Sequence, residues 1–205
     1  GAQPRRYGCW IADAVWAANL VHPDAAFVKD LLPDLKRNYE GWEKRQFVPE
    51  MGMFWQNGHD DGMEYNITSR QTQDIVRGAN CYRPGFNAYM YADALSIAHV
   101  ADLAGDHETA KTYRAKAASL KDRVQRLLWD PKREFFFPMF MRDEVDKDGN
   151  VVKANTLTYQ SGKYAGSPHG REEHAYIPWQ FNLPDPGYEA AWRFLMDPDY
   201  FYAER

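Results

Sequence analysis

The densest run of polar side chains in the sequence is His59-Asp60-Asp61-Gly62-Met63-Glu64-Tyr65-Asn66, with three carboxylates inside five residues. Carboxylates this close repel one another, and partial burial adds to the effect. Together these raise at least one pKa, which is how a carboxyl group stays protonated as a general acid near neutral pH. The competing reading is a solvated acidic turn. Aromatic rings weigh against it: Phe54 and Trp55 precede the cluster, Tyr65 lies inside it, and Tyr82-Arg83-Pro84 follows. Phe54 reads as core, whereas Trp55 and Tyr65, flanked by polar residues, read as rings that face a ligand. Flat amphipathic rings suit a ligand with apolar faces and hydroxyl edges.

A second cluster is Gly170-Arg171-Glu172-Glu173-His174-Ala175-Tyr176-Ile177-Pro178-Trp179. Glu172 and Glu173 could do acid or base work, yet acidic residues at a helix start also offset the positive end of its dipole, the better reading for Glu173. Arg171 is a candidate ligand for hydroxyls or a carboxylate. Asp13 and Asp93 are lone carboxylates on apolar segments, so each must find a buried partner or reach an open centre. Asn87 and Tyr91, one turn apart, are placed to share a face with Arg83. His59, His169 and His174 do not form a metal-ligand spacing. The sequence has no Gly-rich phosphate loop, nucleophile elbow or Cys/His pairing, and it implies no cofactor.

These residues sit among paired helical patterns. Trp10 to Val21 is apolar nearly all round, as expected of an inner helix buried on every side. Asp24 caps a second, amphipathic helix repeating Phe27, Leu31, Leu35 and Tyr39, with an irregularity expected at Pro33. Gly85 to Ala104 is again almost wholly apolar and ends at Gly105. Asp106 caps the clearest amphipathic helix, in which Ala110, Tyr113, Ala117, Leu120, Val124 and Leu127 recur at spacings of three and four. A third, weaker pair is Glu173 to Phe181 and Gly187 to Met196. Short inner-to-outer links alternate with long outer-to-inner links, Lys44 to Pro84 and Trp129 to Glu172, so the long links must emerge at one end, where a site is built. Each long link opens on a turn and an aromatic run that predicts a short β-hairpin, and Asp148-Gly149 predicts another.

Three inner and outer pairs predict an all-α fold, about half of a toroid of helix hairpins with short β-hairpins in the long loops. Residues 1–205 read as one domain. A net charge of -4 with no extended basic run excludes a nucleic-acid footprint. No segment approaches the roughly 20 apolar residues of a membrane span. Cys9 and Cys81 are too few for a disulfide framework. The start at Gly1, without a charged and apolar leader, leaves localisation unread and any targeting segment either removed or never included.

The stretches Ala12-Asp13-Ala14-Val15-Trp16, Phe54-Trp55-Gln56, His59 to Glu64, Tyr82-Arg83-Pro84 and Asn87 to Leu95, with Gly170-Arg171-Glu172 and Tyr176 to Pro184, resemble bacterial glycoside hydrolases related to mannosylglycerate hydrolase. These share an (α/α)6 barrel with trehalases and processing α-glucosidases. The resemblance implies an inverting hydrolase of O-glycosidic bonds acting on a carbohydrate, and favours a periplasmic or secreted location. Many such enzymes carry Gly-Met-Asp, with the Asp as general acid. The matching residues are Gly62-Met63-Glu64, so Glu64 takes that role by resemblance, one methylene longer, with Asp61 in reserve. Asp13, Trp55, His59, Asp60, Tyr65, Tyr82, Arg83, Asn87, Arg171, Glu172 and Trp179 are the expected substrate-binding residues. The second carboxylate of the family belongs to a later part of the barrel. Three hairpins of six therefore imply a fragment completed by further chain, which need not be active alone. A sugar isomerase or epimerase with His59 or His174 as base, and a non-catalytic carbohydrate-binding module, are the alternatives.

Overall fold

The computed structural model describes residues 7–202. Helix α1 (Ile11–Val21) is followed by α2 (Ala25–Gln46), and α3 (Pro84–Ala104) by α4 (His107–Leu127). Links of three and two residues fold each pair into a hairpin. The Asp24 carboxylate accepts from Phe27 N (3.0 Å) and that of Asp106 from Thr109 N (3.0 Å), so both outer helices start where the capping residues predict. Pro84 opens α3, where a missing N–H does no harm. Gly105, at φ 79°, closes it in the left-handed conformation.

Cross-helix contacts fix the arrangement. Ser96 Oγ donates to Asp13 Oδ1 (3.2 Å), and the Trp16 and His99 rings stack, so α1 and α3 lie side by side and parallel. Lys36 reaches Thr109 (3.2 Å) and Lys116 reaches Glu43 (2.6 Å), which aligns α2 with α4 in the same sense. Two neighbouring inner helices backed by two neighbouring outer helices are consistent with part of a helical toroid.

The burial differs from the pattern expected in three places. Helix α3 is enclosed nearly all round, but in α1 only Ala12 is buried, while Ile11, Leu20 and Val21 are exposed. No described element covers the far side of α1, so its apolarity is met on one face only. In α2 the buried stripe runs Val28, Leu32, Leu35, Tyr39 and Trp42, one position on from the expected start, leaving Phe27 58% exposed. The helix also continues unbroken through Pro33. Third, Glu173 to Phe181 and Gly187 to Met196 are not a helix hairpin. Residues Glu173–Tyr176 and Glu189–Met196 are 3-10 turns, with only the short α5 (Ile177–Gln180) between them. Pro178 explains the first break, because in a continuous α-helix its absent N–H would have to donate to His174 O. The second turn stops at Asp197, extended before Pro198.

The expected hairpins are present. Strands β1 (Phe47–Val48) and β2 (Met53–Gln56) pair antiparallel, as do β4 (Trp129–Asp130) with β5 (Phe135–Phe136) and β7 (Glu144–Val145) with β8 (Val151–Val152). An unexpected connection joins the two long links. Strand β3 (Cys81–Tyr82) pairs with β2 on one side and β6 (Met139–Phe140) on the other, giving the order β1-β2-β3-β6. This sheet draws both long links over the start of α3.

Candidate active site

The floor of the site is an ion cluster with almost no exposure. Arg83, at the mouth of α3, donates through Nε to Asp61 Oδ2 (2.9 Å) and through Nη2 to Glu172 Oε2 (3.3 Å). Glu172 Oε1 accepts from Ile67 N (2.6 Å). Burial pushes the Asp61 carboxyl up to about 6, against the pull of Arg83. Burial would lower Arg83, but Glu172 and Asp61 outweigh it and hold the guanidinium charged. His174 Nε2 lies 3.4 Å from Asp61 Oδ2. Its burial, with Arg83 nearby, lowers its pKa to about 3, so the ring is neutral. The imidazole rests on Gly85, where a Cβ would come within 2.1 Å of His174 Cε1.

Above this floor the long links enclose a hollow of about 580 Å³, with Glu64, Tyr65 and Arg70 from the first and Tyr164, Arg171 and Glu172 from the second. Gly62, left-handed at φ 77°, turns the chain after Asp61, and the Glu64 side chain emerges 47% exposed. Its Oε1 lies 3.9 Å from His59 Nε2. Tyr65 is 71% exposed and takes φ 56°, a strained conformation for a non-glycine residue. A second hollow of about 520 Å³ continues past Tyr65, Arg70 and Tyr164 toward Ser69 and Lys147.

The expected acid Glu64 and the expected substrate-binding residues Tyr65, Arg171 and Glu172 come together at the first hollow. Arg171 is held by the Pro168 carbonyl (2.7 Å) and lies over the Phe194 ring at 3.7 Å. Asp60 and His59 stand beside Glu64, where Asp60 N donates to Asn57 Oδ1 (2.8 Å) and Asn57 Nδ2 to Asp60 Oδ2 (3.0 Å).

The remaining expected residues lie elsewhere. Arg83 and Asn87 are sealed in the core. Asn87 Oδ1 accepts from Phe54 N (2.8 Å) and its Nδ2 donates to Phe54 O (2.8 Å), which pins β2 to α3. Tyr82 is 3% exposed and pairs in register with Trp55, itself packed on the core. Trp179 packs edge-on against Phe136 and Trp192. Asp13 is half-buried against Ser96, and burial raises its pKa.

Asp93 found its partner in backbone. Its carboxylate accepts from Asp13 N (3.0 Å) at the start of α1, and burial, offset by the Asp13 and Ala12 amides, raises it to about 7.

Arg70, Tyr159, Tyr164 and His169 line the hollow without having been singled out as ligand-facing. For the last three the available signal was the non-periodic polar and aromatic run from 159 to 171 within a long link. Among the described residues no cluster of three or more His, Cys, Asp or Glu is arranged to hold a metal ion, and no helix is long and apolar enough to cross a membrane. Cys9 and Cys81 are free thiols.

Helix hairpins whose long links meet at a hollow lined by carboxylates, arginines and tyrosines are consistent with part of a helical toroid that carries a site at one end. The chain belongs to the mannosylglycerate hydrolase MGH1-like glycoside hydrolase domain family, whose model matches residues 2–205. Among solved structures it is similar to a sialidase, at 32% identity and a TM-score of 0.76, over 97% of this chain and 16% of that one. Among curated proteins it is similar to an uncharacterized protein of Borreliella burgdorferi, 23% identical over 145 residues, or 69% of this chain and 27% of the relative. The chain thus spans less than a third of either protein.

Proposed function

We propose that these residues form the acid side of an inverting glycosidase site, with Glu64 as the group that protonates the leaving oxygen of an O-glycosidic bond. One observation carries the reading. Of the two carboxylates lining the shared hollow, Glu172 is locked by Arg83 and the Ile67 amide, while Glu64 is half exposed and faces open space. Asp61, the reserve candidate, is sealed and ion-paired, which suits an anchor rather than a proton donor.

An inverting reaction needs a second carboxylate roughly 6.5–9.5 Å away to activate water on the opposite face of the sugar. That base, and the hairpins that complete the ring, come from chain outside these 205 residues. The apolar side of α1, which no described element covers, supports such a continuation, since an inner helix of a closed ring is enclosed on both flanks. Tyr65 and Tyr164 serve as sugar platforms, and Arg70 and Arg171 as hydroxyl ligands. The isomerase alternative is weaker for His174, whose imidazole is nearly buried against Asp61 and is a poor base, its pKa lowered to about 3 by burial and Arg83.

The test is Glu64→Gln in the complete enzyme, with products followed by NMR. Turnover is expected to fall about 10²- to 10⁴-fold, the usual contribution of a general acid, with the residual product of inverted configuration. Undiminished hydrolysis by the variant, or an isomerised sugar recovered intact, would overturn the proposal.

A further inference from the structure

The loop bearing Glu64 is pinned symmetrically. Asp61, three residues before Glu64, is held by Arg83 Nε (2.9 Å). Ile67, three residues after it, gives its N–H to Glu172 Oε1 (2.6 Å), and the other oxygen of that carboxylate accepts from Arg83 Nη2 (3.3 Å). Both ends of the loop therefore close on one buried cation. Between them Met63 is partly buried and Asn66 buried, but Gly62, Glu64 and Tyr65 are exposed, so Glu64 is not fixed by packing of its own.

Other hydrogen bonds do hold this loop, namely Met63 N to Gly58 O (2.7 Å), Tyr65 N to Val76 O (3.0 Å) and Asn66 Nδ2 to Arg77 O (2.9 Å). All of them run within the first long link. They fix the loop's shape, while its placement against the opposite wall depends on bonds that cross to the second link. That wall belongs to the second link, and Glu172 follows directly on Arg171, which lines the same hollow. The sheet and the bonds of Gln71 to Tyr159 N (3.2 Å) and Ser161 O (3.1 Å) also tie the two links, and the Arg83 and Glu172 pair is the tie between the walls that closes directly on the two ends of the Glu64 loop. The geometry also needs arginine. Two different guanidinium nitrogens serve two different carboxylates, which a single ammonium nitrogen on a flexible stem does not reproduce.

We propose that Arg83 and Glu172 are positioning residues for the acid step, a two-armed clamp that holds the Glu64 carboxyl at the distance and angle the leaving oxygen requires. The proposal rests on the general-acid reading of Glu64. A misplacement of about 1 Å in such a group can lower turnover on the order of 10²-fold. The loss should appear only where the leaving group needs its proton.

The experiment compares Glu172→Gln with Glu64→Gln in the complete enzyme, on one glycoside with a poor alkoxide leaving group and one with an activated aryl leaving group. Glutamine keeps an acceptor for the Ile67 amide and removes the charge that Arg83 requires. For Glu172→Gln, kcat on the poor leaving group is expected to fall about 10- to 100-fold with KM little changed, and kcat on the activated substrate to stay within about threefold. Arg83→Lys, read in the same way, should show the same selectivity, and Glu172→Gln decides alone if that variant does not fold. Equal losses on both substrates, or no loss on either, would overturn the clamp. If Glu64→Gln itself shows no dependence on the leaving group, the general-acid reading fails instead. Dependence in Glu64→Gln without it in Glu172→Gln removes the clamp and leaves the acid standing.

Discussion

The floor and the rim of the hollow are built from the same residue types a few positions apart, and the two behave in opposite ways. On the floor, the Asp61 carboxylate has a side-chain exposure of 0% and is tied to an arginine that is itself only 1% exposed. On the rim, three residues later, Glu64 is 47% exposed and Tyr65 more so. A single left-handed glycine, Gly62, separates the two environments. The difference teaches that a dense carboxylate cluster is not one functional unit. The backbone turn decides which member becomes part of the frame and which is presented to a ligand.

Substitutions on the two sides should therefore separate stability from chemistry. The largest stability loss is expected from Arg83→Met, which strands two buried carboxylates. Breaking a buried ion pair on one side is destabilising by about 3–5 kcal/mol, readable as the shift in a denaturant midpoint. Asn87→Ala comes next, because it leaves the Phe54 amide and carbonyl buried without partners, at about 1–3 kcal/mol.

Asp93 sharpens the comparison as a buried carboxylate with no cationic partner among the described residues. Its folded pKa is raised to about 7, chiefly by burial. The folded state therefore binds this proton more tightly than the unfolded one, and the resulting stabilisation is full below the unfolded value of about 4 and lost as pH rises through 7. Asp93→Asn should flatten that decline, which has a slope on the order of 1 kcal/mol per pH unit; unfolding curves at pH 4.5 and 7 measure it. The smallest stability effect is expected on the rim. Tyr65→Gly relieves the positive φ and should change stability by less than about 1 kcal/mol, while raising KM for an oligosaccharide. A large stability loss from Tyr65→Gly, or none from Arg83→Met, would break the contrast.

Much of this frame was legible from periodicity. The caps at Asp24 and Asp106, the enclosed α3, the amphipathic α4 and three β-hairpins follow from local patterns, because helix stripes and tight turns are written in neighbouring residues. What was not legible depends on distant partners. The pairing of β3 with β2 and β6 has no local signature. Arg83 and Asn87 look like ligand-binding residues by type, and only tertiary packing turns them into struts. Asp93 could be flagged as needing a partner, but nothing nearby says that the partner is the amide end of α1. The third helix pair failed for a local reason that was present in the sequence, since Pro178 interrupts the ladder.

The central claim, that Glu64 on the open rim delivers the proton, is most directly tested with Glu64→Ala in the complete enzyme on aryl glycosides graded by leaving-group acidity. Turnover by the unmodified enzyme should depend weakly on that acidity, whereas turnover by the variant should fall steeply as the leaving group becomes more basic and nearly recover for the most acidic phenol. Two parallel lines across the series would contradict the account.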